Sequence, residues 1–235
     1  MNANTRRGNN QYKADRRGRL ATIPSPQFAL LAQGEQLSML ELWDRKGVAA
    51  GPTATPEMLG RLSTDPDWEV REAVASNPAC PPDTLMALSK DPQLVVRQVV
   101  AENRNCPAGL LNMICVQAEQ QTRWAVNHPR EAPPGTVQTL VHTCAAVAGN
   151  PNSSPGLLVH LSAHGHPMVR QQVARHPACP VPALQRMASD PDPRVRRQVV
   201  LHPACPARTV AVLQGDHDAT VLEAVRYRQQ RTVVA

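Results

Sequence analysis

The stretch Asn77-Pro78-Ala79-Cys80-Pro81 decides the fold, because it returns along the chain at a fixed spacing. It recurs as Asn105-Cys106-Pro107, His176-Pro177-Ala178-Cys179-Pro180 and His202-Pro203-Ala204-Cys205-Pro206. The step is 26 residues from Cys80 to Cys106, and it is 26 again from Cys179 to Cys205. A regular period of this length is typical of a repeat array, in which each unit packs only on its neighbours.

A second signature lies between these marks. The stretch Asp65-Pro66-Asp67-Trp68-Glu69-Val70-Arg71 is echoed by Asp91-Pro92-Gln93-Leu94-Val95-Val96-Arg97 and by Asp190-Pro191-Asp192-Pro193-Arg194-Val195-Arg196. Its arginine also steps by 26 residues, at Arg45, Arg71, Arg97 and Arg123 and then at Arg170 and Arg196. The period therefore extends over most of the 235-residue chain.

Each unit is predicted to form two short helices, as residues 78–103 illustrate. Pro81 and Pro82 stand where the first helix begins, a position that tolerates proline. Asp91 is predicted to cap the second helix, with Pro92 in its first turn. The two apolar faces consist of Leu85, Met86 and Leu88, and of Val95, Val96, Val99 and Val100. Because neither helix can bury its face alone, we expect an all-α solenoid of short helix pairs with a shared core.

The repeat marks also divide the chain. Residues 1–22 are predicted to be a disordered basic tail, residues 23–52 an N-terminal capping half-repeat, and residues 229–235 a C-terminal tail. The repeats themselves occupy residues 53–228, about seven and a half units by this count. Residues 131–151 form a degenerate unit, shortened by about five residues and without the Asp and Arg signature, so we expect a kink there.

These units resemble the leucine-rich repeat variant family, and more distantly the HEAT-like helical repeats. The resemblance rests on the patterns Asn/His-Pro-x-Cys-Pro, Leu-x-x-Leu and Asp-Pro-x-x-x-Val-Arg-x-x-Val over roughly residues 53–228. It implies a right-handed superhelix of α-helices and shorter, often 3₁₀, helices without a sheet. One type of family member carries an iron–sulfur cluster on an N-terminal cysteine group. Here the first cysteine is Cys80, so no cofactor is expected.

Composition and charge limit the classes of function. The net charge of +6 divides into +5 for residues 1–20, −4 for residues 21–150 and +5 for residues 151–235. No run approaches the ~18 apolar residues that a membrane span needs, so no membrane partner is expected. The N-terminus lacks a secretory apolar segment and the chain has no Cys-x-x-Cys pair, which favours a cytoplasmic location.

The cysteines and histidines are the candidate metal ligands of this chain. Packed helices lie ~8–10 Å apart, whereas a disulfide needs Cα atoms within about 7 Å and zinc–sulfur bonds measure ~2.3 Å. We therefore expect the repeated cysteines to be small buried residues, while Cys115 and Cys144 fall outside the column and have no evident partner. His160 and His164 are spaced like zinc ligands on one helix face, but His164 occupies the aspartate position before Arg170 and is more simply a cap. No metal site is predicted.

The arginine column allows a structural and a functional interpretation. An aspartate stands six residues before Arg71, Arg97 and Arg196, so the column can form a ladder of ion pairs; alternatively, it is a row of guanidinium groups facing an acidic partner or phosphates. Arg123 has Gln117 at the aspartate position and is the least explained member. The next column is polar, comprising Glu72, Gln98, Trp124, Gln171, Arg197 and Glu223. Trp124 is therefore predicted to be exposed, as at interface hot spots, or else packed over the shortened unit.

No nucleotide-binding, protease or esterase motif is present, so no catalytic residue is predicted and the chain is not expected to be an enzyme. The leading hypothesis is a non-catalytic scaffold that binds a protein partner. Its candidate contact residues are Arg123, Trp124, Arg170, Arg194 and Arg197. The alternative is a nucleic-acid-binding solenoid, which would use the basic C-terminal half and the tail residues Arg6, Arg7, Lys13, Arg16, Arg17 and Arg19.

Two further hypotheses are less favoured. One is a DNA-base glycosylase, an activity found in some HEAT-like solenoids, which requires Trp124, Arg123 and an acid in one concavity. The other is self-association of the basic tail with the acidic half of a second molecule. The sequence leaves the oligomeric state open.

Overall fold

The computed structural model describes residues 42–233, and in this range it contains thirteen α-helices and no strand. The helices are α1 Leu42–Ala50, α2 Pro56–Leu62, α3 Trp68–Ser76, α4 Pro82–Leu88, α5 Leu94–Glu102, α6 Ala108–Asn127, α7 Thr136–Gly149, α8 Pro155–Leu161, α9 Pro167–Arg175, α10 Val181–Met187, α11 Pro193–Leu201, α12 Ala207–Leu213 and α13 Ala219–Val233. None of these helices is both long and apolar enough to cross a membrane. The predicted basic tail and most of the predicted N-terminal cap lie outside the described residues.

The helices form two layers. Each seven-residue helix is followed by a helix of nine residues or more, and the longer helices pack side by side as α1, α3, α5, α7, α9, α11 and α13. One continuous core of valine, leucine, alanine and cysteine runs through these units. The predicted all-α solenoid is therefore confirmed, and the short helices are α-helices rather than 3₁₀ helices.

Proline marks the helix starts as predicted. Pro82 begins α4 and Pro155 begins α8, and in both cases the preceding residue is the N-cap. The predicted roles of Asp91 as an N-cap and of Pro92 in the first turn are wrong, because α5 begins at Leu94 with Gln93 as its N-cap. The Oδ1 atom of Asp91 instead accepts a hydrogen bond from the backbone N–H of Gln93 and stabilises the turn before the helix.

A buried ladder of side chains joins successive units. The Nδ2 atom of Asn103 donates to the backbone carbonyls of Ala75 at 2.7 Å and Asn77 at 2.9 Å. His176 and His202, which were predicted to be turn residues, make the equivalent link, each through Nε2 to a carbonyl 26 residues earlier. These bonds satisfy buried carbonyls at the ends of the preceding helices. The ladder ends at Arg228, which donates to the carbonyls of Val200, His202, Pro203 and Cys205.

The ladder shows where the repeat is interrupted. Its step is 26 residues between regular units, but 47 residues separate Asn103 from Asn150. Helix α7 packs directly on α5 and α9, so it follows α5 in the stack, and the 20-residue helix α6 lies against α7. The expectation of one regular unit followed by a degenerate unit at 131–151 is therefore wrong. Residues 104–150 form a single long unit, which we call the long unit.

This register changes two assignments made from the sequence. Aligning Asn150 with Asn103 places Cys144, not Arg123, at the position of Arg97 in the arginine column. The spacing of 26 residues from Arg97 to Arg123 thus has no structural equivalent. At the other end of the chain, α13 continues to Val233, so most of the predicted C-terminal tail is helical.

Candidate functional site at the long unit

The regular units contain a second ladder, made of partly buried ion pairs. The Nε atom of Arg71 lies 2.6 Å from Oδ2 of Asp91, and its Nη1 donates to the carbonyl of Asp65 at 2.7 Å. The same arrangement joins Arg45 to Asp65, Arg170 to Asp190 and Arg196 to Asp216. The predicted structural ladder is confirmed, with one correction. The carboxylate belongs to the next unit, 20 residues later, whereas the aspartate six residues earlier contributes its backbone carbonyl.

The ion-pair ladder is interrupted on one side of the long unit. Gln117 replaces the aspartate that Arg97 would bind, and Nη2 of Arg97 donates instead to Oε1 of Gln121 at 2.9 Å. Burial therefore lowers the pKa of Arg97, whereas a hydrogen bond to Asp91 raises the pKa of Arg71. The neutral amide accepts a hydrogen bond but supplies no compensating charge.

On the other side of the long unit, a cysteine and a histidine replace the arginine and the aspartate. Cys144 stands 20 residues before His164, the same spacing as from Arg71 to Asp91, and His164 helps to lower the pKa of Cys144. The Nδ1 atom of His164 accepts from the backbone N–H of His166, which is the role that Asp65 plays toward Asp67. His164 thus occupies the aspartate position, as predicted, but it is not the helix cap, because the N-cap of α9 is His166.

Cys144 also contacts Cys115, so the expectation that neither cysteine has a partner is wrong. The hydrogen bond between the two buried thiols and a second one from His164 lower the pKa of Cys144. The same thiol pair, together with burial, raises the pKa of Cys115. The four cysteines of the column behave differently. Burial alone raises the pKa of Cys80 to about 11, which keeps it a protonated thiol.

A carboxylate and an imidazole complete this cluster. Oε1 of Glu119 lies 2.8 Å from Nε2 of His160, and both residues line a pocket of about 310 Å³ together with Thr122, Arg123, Ala163, His164 and Gly165. One atom from each of Cys115, Glu119 and His160 lies within 4.8 Å of the other two. The sequence indicated none of this. The helical spacing of His160 and His164 suggested a pair, but the two imidazoles have different partners.

Trp124 lies on the exposed side of α6. Its side chain is 45% exposed and stacks on the ring of His128, with 5.2 Å between the ring centroids and 17° between the planes. Arg123 beside it is exposed and forms no hydrogen bond or ion pair with a residue that the structure describes. Of the two predicted alternatives for Trp124, exposure is the one observed, although the polar column is not its reason. In α7, Ala145 holds that column position.

The other candidate contact residues lie apart from α6. Arg194 and Arg197 are exposed on α11, where Arg194 forms an exposed ion pair with Asp192. The side chain of Arg170 is only 12% exposed and forms an ion pair with Asp190. It therefore does not belong to a surface that a partner can contact. Trp124 does not line the pocket that Arg123 and Glu119 share, which leaves the glycosylase hypothesis without the required concavity.

The comparisons with known proteins concern the repeats. The family model "Leucine rich repeat variant" matches residues 68–93 and 167–192. A solved structure described as a leucine-rich repeat variant with a novel repetitive structural motif is 22% identical, with a TM-score of 0.53 over 88% of this chain and 72% of that chain. A crystal structure of an engineered protein is 17% identical over 88% of this chain and 92% of that chain, with a TM-score of 0.29. No curated protein matches. Residues 68–93 and 167–192 are thus similar to repeats of the leucine-rich repeat variant family, and the solved structure shares the helical repeat fold.

Proposed function

We propose that this chain is a non-catalytic repeat scaffold that binds a protein partner, and that the contact is centred on Trp124. The observation that carries the proposal is the exposed indole, which is already held in place by the ring of His128. A large aromatic side chain fixed before binding loses little conformational entropy on association. Tryptophan and arginine are also the residue types that dominate interface energies, and Arg123 is adjacent.

The surroundings of Trp124 support a protein contact. Met113, Val116 and Trp124 have a spacing that places them on one face of α6, and all three are exposed. Arg123 lies at the edge of this apolar stripe without a partner among the described residues. An apolar stripe bordered by an unpaired guanidinium suits a protein surface that carries an apolar groove and a carboxylate.

The cysteines support a reducing compartment. All six are free thiols, and all six are buried. Since free thiols persist where glutathione and thioredoxin keep them reduced, we propose that the protein acts in the cytoplasm.

The test is affinity capture from the native host with the wild-type chain and the variant Trp124→Ala. Trp68→Ala is the matched control, because Trp68 is similarly exposed but lies on α3. We expect a reproducible protein that Trp124→Ala loses and Trp68→Ala keeps. A hot-spot loss of about 2 kcal/mol corresponds to a roughly 30-fold weaker Kd. Equal capture by both variants contradicts the contact at Trp124, and recovery of nucleic acid alone favours the alternative function.

A further inference from the structure

We propose that Cys115, Glu119 and His160 form a binding site for a divalent transition-metal ion, with Zn²⁺ as the best fit. The ligand atoms of these residues already lie within 4.8 Å of one another. The ligands lie on the pocket side of α6 and not on the exposed stripe with Trp124, so the two proposals can be tested separately, although Arg123 borders both surfaces.

The donor set fits zinc. Thiolate, imidazole and carboxylate are the three ligand types that zinc uses, at ~2.0–2.3 Å. Bonds of that length in a tetrahedron place the ligand atoms roughly 3.3–3.8 Å apart. The longest separation in the cluster must therefore contract by up to about 1.5 Å, while the 2.8 Å contact between Glu119 and His160 must open slightly. The side chain of His160 is 58% exposed and has the freedom to make this adjustment.

The backbone holds the ligands from two elements. Cys115 and Glu119 are four residues apart on α6 and therefore share a face, whereas His160 lies in the last turn of α8. Helix α6 extends this far only because the long unit replaces a regular one. A regular unit would have an arginine at position 144. The ion pair of that arginine would then lie where Cys144 now contacts Cys115.

The groups behind the ligands suit the same role. The buried thiol of Cys144 lies beside both Cys115 and His164, so it is placed to support the ligating sulfur from behind. Three protein ligands leave a fourth position, which faces the pocket of about 310 Å³. Arg123 lines that pocket, and its charge favours an anionic ligand at the fourth position.

The experiment is calorimetric titration of ZnCl₂ into the full chain, which is first reduced and stripped with a chelator. We expect one Zn²⁺ per chain, and we expect His160→Ala, Glu119→Gln and Cys115→Ala each to weaken binding by roughly tenfold or more. Cys106→Ala is the matched control, since Cys106 is an equally buried free thiol outside the cluster and should leave zinc binding unchanged. In the Co²⁺-loaded chain, the thiolate-to-cobalt absorption should disappear in Cys115→Ala and persist in Cys106→Ala.

Two outcomes overturn the proposal. One is a wild-type chain that is folded by circular dichroism and binds no Zn²⁺. The other is zinc binding that His160→Ala leaves unchanged, which would place the ion elsewhere on the chain. Should Cys115→Ala fail to fold, His160→Ala still decides, because the exposed imidazole is not part of the core. Partner capture by His160→Ala separates this result from the protein contact, which does not require the metal.

Discussion

Residue 144 is a cysteine at a position where regular units carry arginine. Arg45, Arg71, Arg170 and Arg196 each bind the aspartate of the following unit, and these side chains are largely buried. A buried arginine requires that partner, because an unpaired charge is costly away from water. The pair of Cys144 and His164 keeps the spacing of 20 residues, but it removes the need for both charges. The change frees this position for the contact with Cys115.

The ion-pair ladder can be tested at Asp91. Replacing Asp91 by Ala leaves the guanidinium of Arg71 partly buried without a carboxylate, and it also removes the acceptor for the N–H of Gln93. We expect the free energy of unfolding in urea to fall by about 3 kcal/mol. Arg194→Ala breaks an exposed pair and should cause no measurable change. Equal stability of the two variants would show that the ladder contributes little.

At the scale of the helix, periodicity predicted the elements well and their faces less well. The valine stripe of α5 was predicted as four buried residues, but Val95 is exposed while Val96 and Val100 are buried. On α4, Met86 is likewise exposed beside buried Leu85. A nine-residue helix between two neighbours buries a narrow face, and residues adjacent to that face appear in the same apolar run without belonging to the core.

The links between helices give a prediction at this scale. Asn103→Ala removes two donors and leaves the carbonyls of Ala75 and Asn77 without them, which should lower the free energy of unfolding by about 2 kcal/mol. Asn103→His should recover part of that loss, because His176 and His202 make the same link with Nε2. Chemical unfolding of the three chains provides the comparison. A histidine variant no more stable than the alanine variant would contradict the equivalence of the two side chains.

At the scale of the whole molecule, the sequence predicted the solenoid but not the cluster in the long unit. The repeated motifs are local patterns, so they predict the short helices without any knowledge of how the helices pack. The cluster depends on which helix packs next to α5. The 26-residue step from Arg97 to Arg123 indicated α6 at that place, whereas the structure has α7 there. Cys115, Glu119 and His160 converge only when α7 packs on α5 and α9. The sequence left Trp124 either exposed or packed over the shortened unit; it is exposed, but it does not belong to the column that suggested this.

Replacing the long unit tests whether it is needed for folding. A chain in which residues 104–150 are exchanged for a copy of residues 78–103 restores a step of 26 residues throughout the ladder. We expect this chain to fold with helical circular dichroism and cooperative unfolding, because each unit needs only its neighbours. The exchange should abolish both zinc binding and partner capture. Loss of helical signal would show that the long unit is structural rather than functional.

The interrupted ion-pair ladder also has a mechanical consequence. Under tension between its two ends, an array of this kind bears the load in series, so its weakest junction yields first. The junctions on either side of α7 lack the arginine–aspartate pair, since Arg97 binds Gln121 and the pair of Cys144 and His164 replaces the arginine and the aspartate. These junctions should be the most compliant points of the molecule. A pulling force would then separate two stiff segments at α7, and a metal ion joining α6 to α8 would act as a brace across the gap.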